Sequence, residues 1–140
     1  MTRWAPGGIR LGVLVPFTNT NLESDLIGMS PPKCSLHFQR FGGYDPDAIP
    51  DSNQMIQLGE FDLSHDLKMI AGARPDTILY ACTSATLTHG TSFDRDLAFK
   101  IKADFGASVF TAAGSLVSGL NALNIERIGF SSPYVGNVNE

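Results

Sequence analysis

An open, doubly wound α/β fold is what this 140-residue sequence predicts: a mostly parallel sheet of about five strands with helices on both faces. Three observations lead there. Short apolar runs of strand length alternate with stretches whose apolar residues recur at helical spacing, in the order βαβαβαβαβ. Proline, glycine and helix-cap residues fall at the joints between them. No internal repeat or low-complexity tract breaks the alternation, so residues 1–140 read as a single lobe.

Residues 1–8 are a lead-in. The first strand is expected over 9–15, where Ile9, Leu11, Val13 and Val15 alternate with Arg10, Gly12 and Leu14, and Pro16 ends it. Thr20-Asn21-Leu22-Glu23 fits a capping box, with Thr20 capping and Glu23 reaching back, so a short helix is expected over 21–29. Ser30-Pro31-Pro32 stops it. The second strand is 34–41, with Cys34, Leu36 and Phe38 on one face and Ser35, His37 and Gln39 on the other. Residues 42–53 hold Gly42, Gly43, Pro46 and Pro50 and read as a long loop, a place where function often resides.

Helical period returns over 54–73, broken near Gly59, with Leu63, Leu67 and Ile70 as the clearest stripe. Arg74-Pro75-Asp76 turns into a third strand at 77–81, and residues 83–90 form a loop or helix start. A helix is expected over 91–105, where Phe93, Leu97, Ile101 and Phe105 recur every four residues and Gly106 is the C′ glycine. A short fourth strand follows at 108–111. The helix 112–123 then places Leu116, Leu120 and Leu123 on one face and stops at Asn124. Residues 127–131 are read as a fifth strand, followed by Pro133-Tyr134. A covering helix should come next, and Asn137 to Glu140 looks like its beginning, so the chain reads as reaching the edge of an unfinished unit.

The hydrophobic fraction of 43% and charged fraction of 17% are those of an ordinary soluble protein. With a net charge of -4 and no basic stripe, nucleic acid is not an expected partner. No apolar run reaches the roughly 20 residues that span a bilayer, and Met1-Thr2-Arg3-Trp4 is not followed by a signal-peptide core. Two cysteines are too few for a disulfide framework, so the chain reads as cytoplasmic with its thiols reduced.

The chemistry concentrates at Cys82, which ends the third strand and is followed at once by Thr83 and Ser84. In open parallel sheets the ligand crevice lies outside the carboxyl ends of the strands. There, backbone N–H groups and helix dipoles can bind an anion or lower a thiol pKa. The neighbouring strand ends contribute Pro16, Phe17, Thr18, Asn19 and Thr20, then Thr111, Ala112 and Ala113, then Ser131, Ser132, Pro133 and Tyr134. That set holds a thiol, hydroxyls, a carboxamide and a phenol, and no charged residue. It suits a small carboxylate bound by neutral donors. The same residue types also cap helices, so Asn19 and Thr20 are equally cap candidates. Dinucleotide and phosphate-loop motifs are missing, as is the G-x-S-x-G of α/β-hydrolases. His37, His65 and His89 share no ligand spacing with each other or with the cysteines, so no metal site is expected. Of the three, His89 lies nearest the Cys82 loop; Cys34 is read as core.

At these residues the chain resembles a known family. Val15-Pro16-Phe17-Thr18-Asn19-Thr20-Asn21-Leu22-Glu23 looks like the first-loop motif of maleate cis–trans isomerases, and Tyr80-Ala81-Cys82 like the strand end that carries their first cysteine. The run from Gly119 through Pro133-Tyr134 to Glu140 is similar to the matching region of both maleate isomerases and arylmalonate decarboxylases, all in the aspartate/glutamate racemase superfamily. The resemblance spans residues 10–140. It implies two similar lobes with the site between them, of which this would be the N-terminal one, and no metal or organic cofactor. It implies that Cys82 is the nucleophile or base, adding to a substrate double bond so that rotation can follow. It also implies that Asn19 and Tyr134 bind substrate carboxylates or assist at the reacting carbon.

The sequence departs from each branch. Thr83-Ser84 after the cysteine resembles the carboxylate cradle of the decarboxylases, which carry glycine in place of that cysteine. The expected catalytic residue is therefore Cys82, and the expected substrate-binding residues are Asn19, Thr20, Thr83, Ser84 and Tyr134. The expected activity is isomerisation or racemisation of a small, maleate-like dicarboxylate. Decarboxylation of substituted malonates is the alternative, and a non-catalytic acid-binding lobe is the alternative of another class. A small carboxylate is the implied partner, neither nucleic acid nor membrane is, and a homo-oligomer is compatible with this reading.

Overall fold

A computed structural model describes residues 8–47, 51–90 and 92–132. Its sheet has four parallel strands, β1 (Ile9–Pro16), β2 (Cys34–Phe41), β3 (Thr77–Tyr80) and β4 (Ser108–Thr111), in the order β2-β1-β3-β4. The helices are α1 (Leu22–Met29), α2 (Ser52–Gly59), α3 (Ser64–Ala71), α4 (Thr83–Leu87), α5 (Phe93–Phe105) and α6 (Ala112–Ala122). The α/β class read from the sequence is the class observed.

Alternation along β1 builds the core on both sides of the sheet. Leu14 joins Phe41, Ile78, Tyr80 and Cys82 on one face, under Met55 and Leu58 of α2, Leu67 and Ile70 of α3 and Ile101 of α5. Val13 and Val15 join Leu79 and Ala81 on the other, packed by Leu22 and Leu26 of α1. A fully buried aliphatic side chain is worth roughly 1.5–3 kcal/mol, so this central pair of strands carries much of the stability. Gly12 is part of the reason the layers close: a Cβ there would stand 3.0 Å from Ile70 Cδ1 and 3.2 Å from Pro75 Cβ.

Three local readings are corrected. Thr20 does not cap α1; the N-cap position is Asn21, and the side chain that satisfies the first turn is Asn19, whose Oδ1 accepts from the N–H groups of Asn21 (3.1 Å) and Leu22 (3.0 Å). Glu23 reaches Arg40 rather than the cap. The capping box is instead at α2, where Gln54 N–H donates to Asp51 Oδ1 and Asp51 N–H to Gln54 Oε1, each at 2.9 Å, so that helix starts before the expected residue.

The fifth strand does not form among the described residues. Residues 127–131 have no ladder partner and are exposed, Phe130 at 68%. Alternating apolar residues license a strand only where an edge and a covering layer accept them. The α6 stripe is similar: Leu116 and Leu123 are exposed, and Ala113 is the residue that is buried. The expected helix at 137–140 lies outside the described residues, as does Tyr134.

Strand order places the site. The chain steps from β1 to β2 on one side of it, then crosses to β3 on the other. The reversal leaves a crevice at the carboxyl ends of β1 and β3, the usual ligand position in such sheets.

Candidate functional site

A cavity of about 270 Å³ occupies that crevice. The β1 end contributes Pro16, Thr18 and Asn19, and the β3 end contributes Ala81, Cys82, Thr83 and Ser84. Tyr44, Met55, Leu58 and Ala112 close the sides. Among the described residues no charged side chain lines it, and its size is a little below that of pockets for drug-sized ligands.

Cys82 stands at the N-cap of α4, only 5% exposed. Its Sγ lies 3.7 Å from Ser84 Oγ, and Ser84 Oγ in turn donates to Met55 Sδ at 3.0 Å. Burial pushes the thiol above its ordinary pKa; the N–H groups of Ala85 and Ser84 and the Ser84 hydroxyl pull the other way without cancelling it. The lowering that strand-end N–H groups can give a thiol is therefore outweighed here by burial. The helix behind it has only five residues, and its N–H groups do not offset desolvation. The resting group is the thiol, and ionising it requires a base or a ligand that supplies the missing polarity.

Beneath it, burial also drives the Tyr80 phenol well above its usual range, with the adjacent Cys82 adding to the effect. Among the described residues the Tyr80 hydroxyl has no hydrogen-bond partner, and its ring packs on Phe41 at 5.1 Å between centroids. Tyr80 is thus held neutral in the core beside Phe41.

The α4 turn is fixed by its own hydroxyls. Thr86 Oγ1 donates to the carbonyls of Thr83 (2.7 Å) and Cys82 (3.2 Å). Thr83 and Ser84 both line the cavity, and among the described residues the Thr83 hydroxyl has no such partner. Across from them, the Asn21 and Leu22 N–H groups hold the Asn19 carboxamide oxygen. That orientation leaves the Nδ2 donor for a ligand.

Of the residues singled out from sequence, Cys82, Asn19, Thr83 and Ser84 come together around this cavity. Thr20 is exposed and outside its lining. Tyr134 lies outside the described residues. Cys34 is half-buried at the first position of β2, at the opposite end of the sheet, and is not a core residue. His89 packs away from the cavity, stacked on Phe93 at 4.2 Å with Nδ1 2.8 Å from the Ala85 carbonyl.

Sequence reasoning missed Tyr44. Its hydroxyl pairs with Thr18 Oγ1 at 2.8 Å, and its ring meets the Phe17 ring edge-on at 4.8 Å. The loop that carries it leaves β2 through Gly42 at φ +98°, where a Cβ would stand 2.7 Å from Leu58 Cδ1. The length and glycine content of that loop were the only signal available.

Fold and site together define one α/β lobe whose strand-end cavity gathers a buried thiol and neutral hydrogen-bonding groups. Similar proteins are maleate isomerases. The Pseudomonas putida maleate isomerase is 26% identical over 133 residues, which are 90% of this chain and 53% of that protein. The Nocardia farcinica maleate cis–trans isomerase superposes with a TM-score of 0.77 at 24% identity, over 94% of this chain and 55% of that one. A cysteine variant of the same enzyme, solved with a covalently bound succinylcysteine intermediate, is 27% identical with a TM-score of 0.65, over 83% of this chain and 49% of that one. Arylmalonate decarboxylase shares the fold, with a TM-score of 0.68 at 19% identity over 93% of this chain and 54% of that one. No protein-family model matches the chain. The resemblance to the maleate isomerase and arylmalonate decarboxylase branch is borne out, and the chain spans about half the length of the curated relatives it matches.

Proposed function

We propose that this chain is the N-terminal lobe of a cytosolic, cofactor-independent isomerase of small dicarboxylates, with Cys82 as its nucleophile and maleate as the model substrate. The observation that carries the reading is the placement of the Cys82 thiol in the β1/β3 crevice, beside Thr83, Ser84 and the Asn19 carboxamide. The relatives that share this lobe are isomerases of maleate, one seen with a succinylcysteine intermediate. In the proposed reaction the Cys82 thiol yields its proton to a substrate carboxylate, to take it back when the sulfur leaves, while the sulfur adds to one alkene carbon and the displaced electron pair moves toward the far carboxylate. The central bond is then single and rotates. Expulsion of the thiolate restores the double bond in the trans geometry, with no net change in oxidation state or proton count. Thr83 and Asn19 donate to the carboxylates, joined by Ser84 once its hydroxyl turns from Met55 Sδ, and their neutral dipoles stabilise the added charge.

The test is incubation of the protein with maleate, followed by rapid quenching, mass spectrometry of the Cys82 peptide and detection of fumarate. A maleate-mass adduct on Cys82 and fumarate formation are expected. An unmodified Cys82 with no fumarate would overturn the reading.

A decarboxylase reading is favoured by one specific feature, the Thr83-Ser84 pair next to the reacting group. Release of carbon dioxide from substituted malonates, with maleate untouched, would select it. Binding of dicarboxylates without turnover of either class would reduce the chain to an acid-binding lobe.

A further inference from the structure

Arg40 takes no part in the cavity lining, yet it grips the loop that forms one wall. It is the penultimate residue of β2, level with Val15 of β1. Its Nη1 donates to the carbonyls of Phe17 and Asn19, both at 2.9 Å, and approaches the Pro16 carbonyl at 3.5 Å. Its Nη2 meets Glu23 Oε1 at 2.7 Å. One guanidinium thus ties the first turn of α1 to the end of β1 and to two carbonyls of the loop that joins them. The rigid planar fork of arginine holds donors in two directions at fixed geometry, which the compact, rotating ammonium of lysine does not. The Glu23 pair is half-exposed and contributes little by itself; the carbonyl contacts are charge-assisted and stronger.

The grip has a second side. A trans peptide is planar, with its C=O and N–H pointing opposite ways, and no cis bond occurs among the described residues. With the Phe17 carbonyl turned to Arg40, the Thr18 N–H points away from the guanidinium, and Thr18 is itself a lining residue of the cavity. Among the described residues that N–H has no hydrogen-bond partner. The Asn19 N–H, by contrast, is used in a turn to the Pro16 carbonyl at 2.9 Å.

We propose that Arg40 is a positioning residue that presents the Thr18 main-chain N–H, together with the Asn19 carboxamide, as a donor pair for one carboxylate of a dianionic ligand. Its charge also polarises the Phe17–Thr18 peptide unit, so a cavity with no charged side chain among its described lining residues attracts an anion through a relayed dipole. This rests on the dicarboxylate reading above and adds the residue that makes the β1 side of the site receptive.

Maleate titration of the ¹⁵N-labelled protein, wild type and variants, tests it. In the wild type the Thr18 amide is expected to shift downfield with the same saturation curve as Thr83 and Ser84. Arg40→Ala is expected to weaken maleate binding about tenfold, the scale of one charge-assisted hydrogen bond. Iodoacetamide, being neutral, should still alkylate Cys82 at the wild-type rate. Millimolar guanidinium should restore part of the affinity in Arg40→Ala, which a merely structural loss would not allow. Arg40→Lys, kept for the case that the alanine variant fails to fold, should fall between the two. A Thr18 amide that stays still while Thr83 and Ser84 move, or variants with affinity within twofold of wild type, would overturn the role of Arg40 and leave the dicarboxylate reading standing. No maleate binding by the wild type would sink both.

Discussion

The sheet centre and the α6 side are built from similar residues and end in opposite states. Val13, Leu14 and Val15 in β1 are wholly buried, sandwiched between two layers of helices. Leu116, Val117 and Leu123 in and after α6, and Ile128 and Phe130 beyond, are as apolar and stand open, Leu123 at 72%. Hydrophobic burial is a property of placement rather than of residue type. The centre has a neighbour on every side; the far side has β4, only four residues long, and a helix that turns little more than Ala113 inward. The candidate site sits where the structure is most constrained, at the end of the best-packed strands.

The largest effect should come at the centre's chemical end. Cys82→Ser is expected to abolish the maleate adduct and lower turnover by at least about a thousandfold, the scale seen when a nucleophile is removed; assay of fumarate formation checks it. Next comes packing. Phe41→Ala, at a residue 2% exposed between Tyr80 and Phe61, should cost about 3–5 kcal/mol in urea unfolding. Phe130→Ser, on the open side, should change stability by no more than about 0.5 kcal/mol. Equal losses at the two phenylalanines would erase the contrast drawn here.

The pH dependence probes the same asymmetry. The folded Cys82 thiol titrates above its unfolded value, so the folded state keeps its proton where the unfolded state has released one. Stability from this group should therefore be unaffected below the ordinary thiol pKa of about 8.5. It should fall as pH rises from there toward the raised folded value. Iodoacetamide labelling of Cys82 should likewise lag behind a free thiol until more alkaline pH. A reaction rate that levels off near neutrality would contradict burial as the dominant cause. The smallest effect is a cap: Thr111→Ala removes the side chain that accepts from Gly114 N–H at 3.0 Å and should cost about 1 kcal/mol.

Much of the fold was legible. The second and fourth strands were read to the residue, since their bounds are set by proline, by Gly42-Gly43 and by Gly106, whose φ of +68° ends α5 as a C′ glycine should. The Leu63, Leu67 and Ile70 stripe is buried as its spacing requires. What failed were choices among equivalent local signals. Thr20 and Asn19 are both good caps, and only the path of the loop over Arg40 decides for Asn19. A capping box can be written at Thr20 or at Asp51, and only the second forms. The fifth strand had the right period and no cover. At the site, Cys82, Thr83 and Ser84 were visible because they follow an apolar run directly. Tyr44 was not, because its loop has no period and its meeting with Thr18 spans 26 positions.

The two cysteines sit at opposite poles of the sheet, Cys34 at the opening residue of β2 and half-buried, Cys82 just past the close of β3 and shut in. They are therefore separable by reagent size. A bulky maleimide dye at mild pH should mark Cys34 and spare Cys82. That would leave a fluorescent reporter on the rear of the lobe and the thiol of interest untouched, with no substitution needed to tell the two apart.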